Sequence, residues 1–89
     1  MAVIALKGTS IATLNTANNI GGAETVQVTN LHSAEVTLTV ATVGNPGTTF
    51  PGTIVIESGQ TITLKKGSTD TISGGDAGNL VATAVEVFL

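Results

Sequence analysis

The chain is 89 residues long, carries a formal charge of -3 and has charged side chains at only 10% of its positions, against ~25% in soluble domains generally. Lys7, Lys65 and Lys66 are its only basic residues, so the clustered cations that displace counterions from phosphates are missing and nucleic-acid binding is excluded. Cysteine is absent and His32 is the sole histidine, which excludes disulfides, thiolate metal sites and a histidine-built zinc centre.

Apolar and polar residues alternate in short runs from end to end, the period of a strand with one buried face. Residues 2–6 and 10–14 are the first two predicted strands, and residues 16–23, with Asn18-Asn19 and Gly21-Gly22, read as a loop. Residues 25–29 place Val26 and Val28 on one face; residues 30–33 connect them to 35–40, where Val36, Leu38 and Val40 alternate with Glu35, Thr37 and Thr39. This spacing predicts a β-hairpin. After a loop over 44–52, with Pro46 and Pro51, Ile54 and Ile56 in residues 53–57 answer Ile62 and Leu64 in 61–65 across Ser58-Gly59. A second hairpin is predicted there. Residues 66–69 turn, 70–73 add a short strand carrying Ile72, 74–79 form a glycine-rich loop tip, and 80–89 close the chain with Val81, Val85 and Val87 alternating with Ala82, Ala84 and Glu86. No segment has helical periodicity.

Seven or eight short strands in one domain over residues 1–89 predict an all-β fold, a small antiparallel β-sandwich of Ig-like or jelly-roll-like kind, with a small β-barrel as the alternative. Phe50 and Phe88 are the only aromatics, so the interior is aliphatic and each side chain buries less area than an aromatic ring. A domain this small buries only ~60 to 65% of the surface of its unfolded chain. With disulfides and metals gone, association between copies is the supplement that remains. The terminal strands also carry few of the lysines, prolines and charges that guard a sheet edge.

Little in the sequence points to catalysis, and no cofactor or metal is expected. Any nucleophilic triad depends on His32, which falls in a predicted turn and reads as a solvated side chain. Glu24, Glu35, Glu57, Asp70, Asp76 and Glu86 lie mostly at strand ends or on polar faces, where solvation accounts for them. A metal-dependent hydrolase using His32 with Asp76 is the least implausible enzyme. The 74–79 loop lacks both the repeated Asp of a calcium loop and the Lys of a phosphate loop. Lys65, Lys66 and Asp70 form the one local charge cluster: Asp70 is placed to hydrogen-bond back across a structured turn or to pair with a lysine, and the three are the candidate partner contact. The absence of Trp and Tyr weighs against gripping sugars or bases. No run approaches the ~20 apolar residues of a membrane-spanning helix. Residues 1–6 make too short an apolar stretch for a signal peptide, and Lys7 follows it when a signal needs its charge in front.

From Asn30 onward the chain resembles small virion structural proteins of tailed phages, especially those of marine bacteria. The resemblance runs through a strand ending at Asn30, Val36-Thr37-Leu38-Thr39-Val40, a Gly/Pro loop, Ile54-Val55-Ile56, Ser58-Gly59-Gln60 and Thr61-Ile62-Thr63-Leu64. It continues through Lys65-Lys66-Gly67-Ser68-Thr69-Asp70-Thr71-Ile72 into a final Ala/Val-rich strand. It covers roughly two thirds of the chain as pattern, and only the segment from Lys65 to Ile72 is specific in sequence; the first 29 residues lie outside it. The resemblance implies a β-sandwich that decorates a capsid or forms part of a tail or fibre, often as a trimer, and it carries over no catalytic residue.

The expected function is therefore a non-enzymatic capsid decoration or cement protein, made in a host cytoplasm and residing on the virion. Its expected partners are further copies of itself, with a trimer favoured, and a major capsid or other virion protein. The alternative is a tail or fibre recognition module that touches a host surface.

Overall fold

In the computed structural model, which describes residues 3–44 and 48–88, seven strands among those residues build two antiparallel sheets. The strands are β1 (Val3–Leu6), β2 (Thr25–Asn30), β3 (Val36–Ala41), β4 (Gly52–Ile56), β5 (Thr61–Lys65), β6 (Thr71–Ser73) and β7 (Leu80–Phe88). One sheet has the order β1-β7-β2-β5 and the other β4-β3-β6. The protein is thus the predicted β-sandwich. Its last strand inserts between β1 and β2 and does not pair with β6, unlike the Ig arrangement, where the final strand extends the sheet of the strand before it. The order is jelly-roll-like. On the free side of β6, Asn18 makes one isolated bridge to Ile72 where a fourth strand of the smaller sheet would lie.

The core is aliphatic, as the composition requires. Val26 and Val28 of β2, Val36, Leu38 and Val40 of β3, Ile56, Ile72, Leu80, Ala82 and Ala84 are buried together with Leu14 and Ile20 from the segment before β2. Large and small side chains alternate across the central pair of the larger sheet. Val26 stands opposite Ala84 and Val28 opposite Ala82, which fills the layer without overpacking. Ile20 buries its side chain at a φ of 54°, left-handed backbone that costs a β-branched residue about 1–2 kcal/mol. Asn18 Oδ1 accepts the Ile20 N–H at 2.7 Å and holds that conformation.

Both predicted hairpins are corrected by the pairing. β2 and β3 lie in different sheets, as do β4 and β5. β2 pairs with β5 and β7, and β3 with β4 and β6. The physical reason is that alternation specifies which face of a strand is buried and is silent about which strand lies beside it. Val26/Val28 and Leu38/Val40 bury equally well as neighbours or across a sandwich. Among consecutive strands only β3 and β4 are hydrogen-bonded neighbours.

Three further expectations change. Residues 10–14 are not a strand: Ile11 makes a single bridge to Ala82, and the chain then turns inward to bury Leu14. In β7, Leu80, Ala82 and Ala84 are buried against the valines of β2, Val85 is buried as expected, and Val87 is exposed. The loop at 16–23 contains a 3-10 turn at Ile20–Gly22. Of the predicted loop over 44–52, residues 45–47 lie outside the described residues, as do Ala2 at the first strand and Leu89 at the last.

Candidate functional site

The charge cluster singled out in the sequence divides in the fold. Lys65 is exposed, its Nζ 5.9 Å from the centroid of the Phe50 ring, within cation–π range. Lys66 and Asp70 are fully buried. Asp70 Oδ2 accepts the Gly67 N–H at 2.9 Å and the Phe50 N–H at 3.0 Å, and the Asp70 N–H donates to the Gly67 carbonyl at 3.0 Å. One carboxylate therefore closes the 67–70 turn and ties it to the loop entering β4. Gly67 permits the approach: a Cβ there would stand 2.1 Å from the Thr48 carbonyl oxygen. Lys66 Nζ donates to the Gly67 carbonyl at 3.1 Å, and the Lys66 N–H donates to the Glu24 carbonyl at 2.9 Å. Burial pushes the Lys66 ammonium below its ordinary range, opposed by the charges of Asp70 and then Glu24. As the fold stands, Lys66 and Asp70 brace a turn beside a cleft of about 360 Å³, and only Lys65 of the three offers surface.

Asn30 is the other buried polar node. Its Nδ2 donates to the Ala34 carbonyl at 2.9 Å and the Ile56 carbonyl at 2.8 Å, while Oδ1 accepts the His32 N–H at 2.8 Å. His32 is exposed, and its carbonyl accepts the Ser58 hydroxyl at 2.7 Å. The loop of His32 and that of Asp76 meet where the Leu31 N–H donates to the Asn79 carbonyl at 2.7 Å. Glu24, Glu35, Glu57, Asp76 and Glu86 are all exposed. Among the described residues no three His, Asp or Glu side chains gather in a metal-binding group.

The exposed feature that solvation does not explain is apolar. β7 pairs with β2 only as far as Ala84, and beyond it Val85 to Phe88 pair with β1 alone. The result is a two-stranded ribbon at the edge of the larger sheet. By register Ile4, Leu6, Val85 and Val87 share one face, and Val3, Ala5, Glu86 and Phe88 the other. Leu6 is 73% exposed, Val3 60% and Phe88 52%, with Ile4 and Val87 exposed as well. A two-stranded ribbon in water is marginal on its own, and this one exposes large apolar side chains on both faces, with Val85 buried on one and Glu86 the single charge on the other. β4, at an edge of the smaller sheet, repeats the condition: Ile54 and Val55 point to opposite faces and both are exposed. A groove of about 670 Å³ lies beside the ribbon, lined by Lys7, Ile11, Glu24, Val85 and Glu86 among others.

The sequence anticipates a poorly guarded terminal strand but not the exposure of apolar side chains on both faces of β1 and β4, because an apolar run is read as core. A signal was present: residues 3–6, Val-Ile-Ala-Leu, do not alternate with polar residues at all. Compared with known proteins, the chain matches no family model, no curated protein and no solved structure.

Proposed function

We propose that this chain is a non-enzymatic structural protein of a tailed-phage virion, a decoration or cement protein that stabilises the shell as many associated copies. The observation that carries the reading is the pair of unguarded apolar edges, β1 and β4, in two different sheets. Neither has a lysine, charge or proline within its strand, the residues that normally prevent edge pairing. Two separate edges suit a subunit that holds a copy of itself on one side and a larger virion protein on the other. Binding that favours the assembled state then stabilises it by mass action. The resemblance of residues 30–89 to small virion proteins supplies the setting, and the low charge lowers the repulsion between copies.

Mass spectrometry of purified particles tests the proposal. High copy number in the head supports a decoration role; absence from particles overturns the virion reading. Binding of the isolated protein to host cells, with low copy number confined to tails, replaces decoration by the recognition module.

A further inference from the structure

We infer that β1 is a homodimer edge, at which two copies pair their β1 strands antiparallel about a twofold axis through Ala5. The inference rests on the reading that the chain works as associated copies, and it names the contact. The Lys7 N–H donates to the Ala84 carbonyl at 2.9 Å, and the register continues as Leu6 opposite Val85 and Ala5 opposite Glu86. In an antiparallel ladder the hydrogen-bonding residues alternate. Val3, Ala5 and Lys7 therefore spend their backbone groups on β7, and the N–H and C=O groups of Ile4 and Leu6 point outward from the free edge.

A twofold axis perpendicular to the sheet requires opposed residues to lie on the same face. Placing it at Ala5 sets Ile4 against Leu6 of the partner subunit, and Leu6 against Ile4 of the partner subunit. Each of these is then a hydrogen-bonded pair, so the outward groups of one copy satisfy those of the other. On the same face Val87, Ile4, the partner's Leu6 and the partner's Val85 line up as one aliphatic row across four strands. Ala5, the small residue, faces its own copy at the axis, where non-hydrogen-bonded pairs come closest. No charge lies within Val3–Leu6, so nothing in the strand opposes its own image. Twofold contacts are also the commonest between identical chains. Four residues of edge cover on the order of 400 Å² per partner, about half a standard interface. The dimer is accordingly concentration-dependent, and it is a twofold contact where the family resemblance favours a trimer.

The chain has no cysteine, so Ala5→Cys reports on the axis without background. Under mild oxidation it is expected to form a reducible dimer about tenfold faster than Ser58→Cys, an exposed site at the β4–β5 connection, because pairing raises the effective thiol concentration. Adding Leu6→Lys, at a 73% exposed position, removes the advantage while circular dichroism stays unchanged. Equal rates for the two cysteines, or an Ala5→Cys rate indifferent to Leu6→Lys, overturn the inference. Where Ala5→Cys does not fold, sedimentation of the Leu6→Lys protein alone decides: a shift toward monomer supports the β1 edge, and an unchanged oligomer overturns it. An oligomer that survives Leu6→Lys leaves the virion reading standing, since that reading falls only with the particle analysis.

Discussion

Asn30 Nδ2 donates to the Ile56 carbonyl at 2.8 Å, and this bond joins the last residue of β2 in one sheet to the last residue of β4 in the other. The same side chain satisfies Ala34 O and the His32 N–H. It fixes the crossing from β2 to β3 that the turn spacing alone reads as a hairpin. A buried amide with each of its polar atoms partnered specifies one arrangement, because the alternatives strand polar groups away from water.

Asn30→Leu keeps the volume and removes the clamp. It leaves the Ile56 and Ala34 carbonyls and the His32 N–H without this partner, at a cost of about 2–4 kcal/mol. Urea denaturation is expected to show a lower midpoint with an unchanged slope. A midpoint equal to that of the parent protein contradicts the role given to Asn30.

Gly67→Ala forces a Cβ to within 2.1 Å of the Thr48 carbonyl and 3.0 Å of Asp70 Oδ2. The obstacle is backbone, so the loop entering β4 must move and the Asp70 bonds to Gly67 and Phe50 stretch. A loss of about 2 kcal/mol or more follows. Gly8→Ala is the control, with nothing within 4 Å of its Cβ, and is expected to change stability by less than about 0.5 kcal/mol. Thermal or urea unfolding of the two variants checks the contrast.

Lys66 makes stability depend on alkaline pH. Burial lowers its folded-state value below 10.5, with Asp70 and Glu24 pulling the other way. Between the lowered value and 10.5 the unfolded chain binds a proton that the folded chain does not, so stability rises with pH across that window and is flat below it. Lys66→Met is expected to remove this part of the rise, because it removes the titrating group. Urea midpoints measured across the alkaline range for both proteins give the comparison; identical slopes contradict the burial of Lys66.

How much of this was legible in the sequence follows from what period two encodes. The alternation at Val26/Val28 and Val36/Leu38/Val40 locates β2 and β3 and their inner faces, and the turn residues around Ser58-Gly59 and 66–69 separate β4, β5 and β6. Pairing was not legible, because each inner face is equally content beside or opposite its neighbour. The burial of Lys66 and Asp70 was hidden by their company: two lysines, a glycine and an aspartate in six residues read as a structured turn at the surface, open to a partner. The back-bond of Asp70 across the turn was legible, and the structure realises it through the Gly67 N–H; the burial of the pair was not. The ribbon was hidden for the opposite reason, since β1 is apolar and its exposure appears only once β7 outruns β2 at Ala84.

A sandwich with two unguarded apolar edges is expected to persist as an assembly of copies. Light scattering of the intact recombinant protein across a dilution series from high to low micromolar concentration reads this out. The expected mass lies above the 8.8 kDa of one chain at the concentrated end and falls toward it on dilution. A mass of 8.8 kDa at every concentration rules the assembly out.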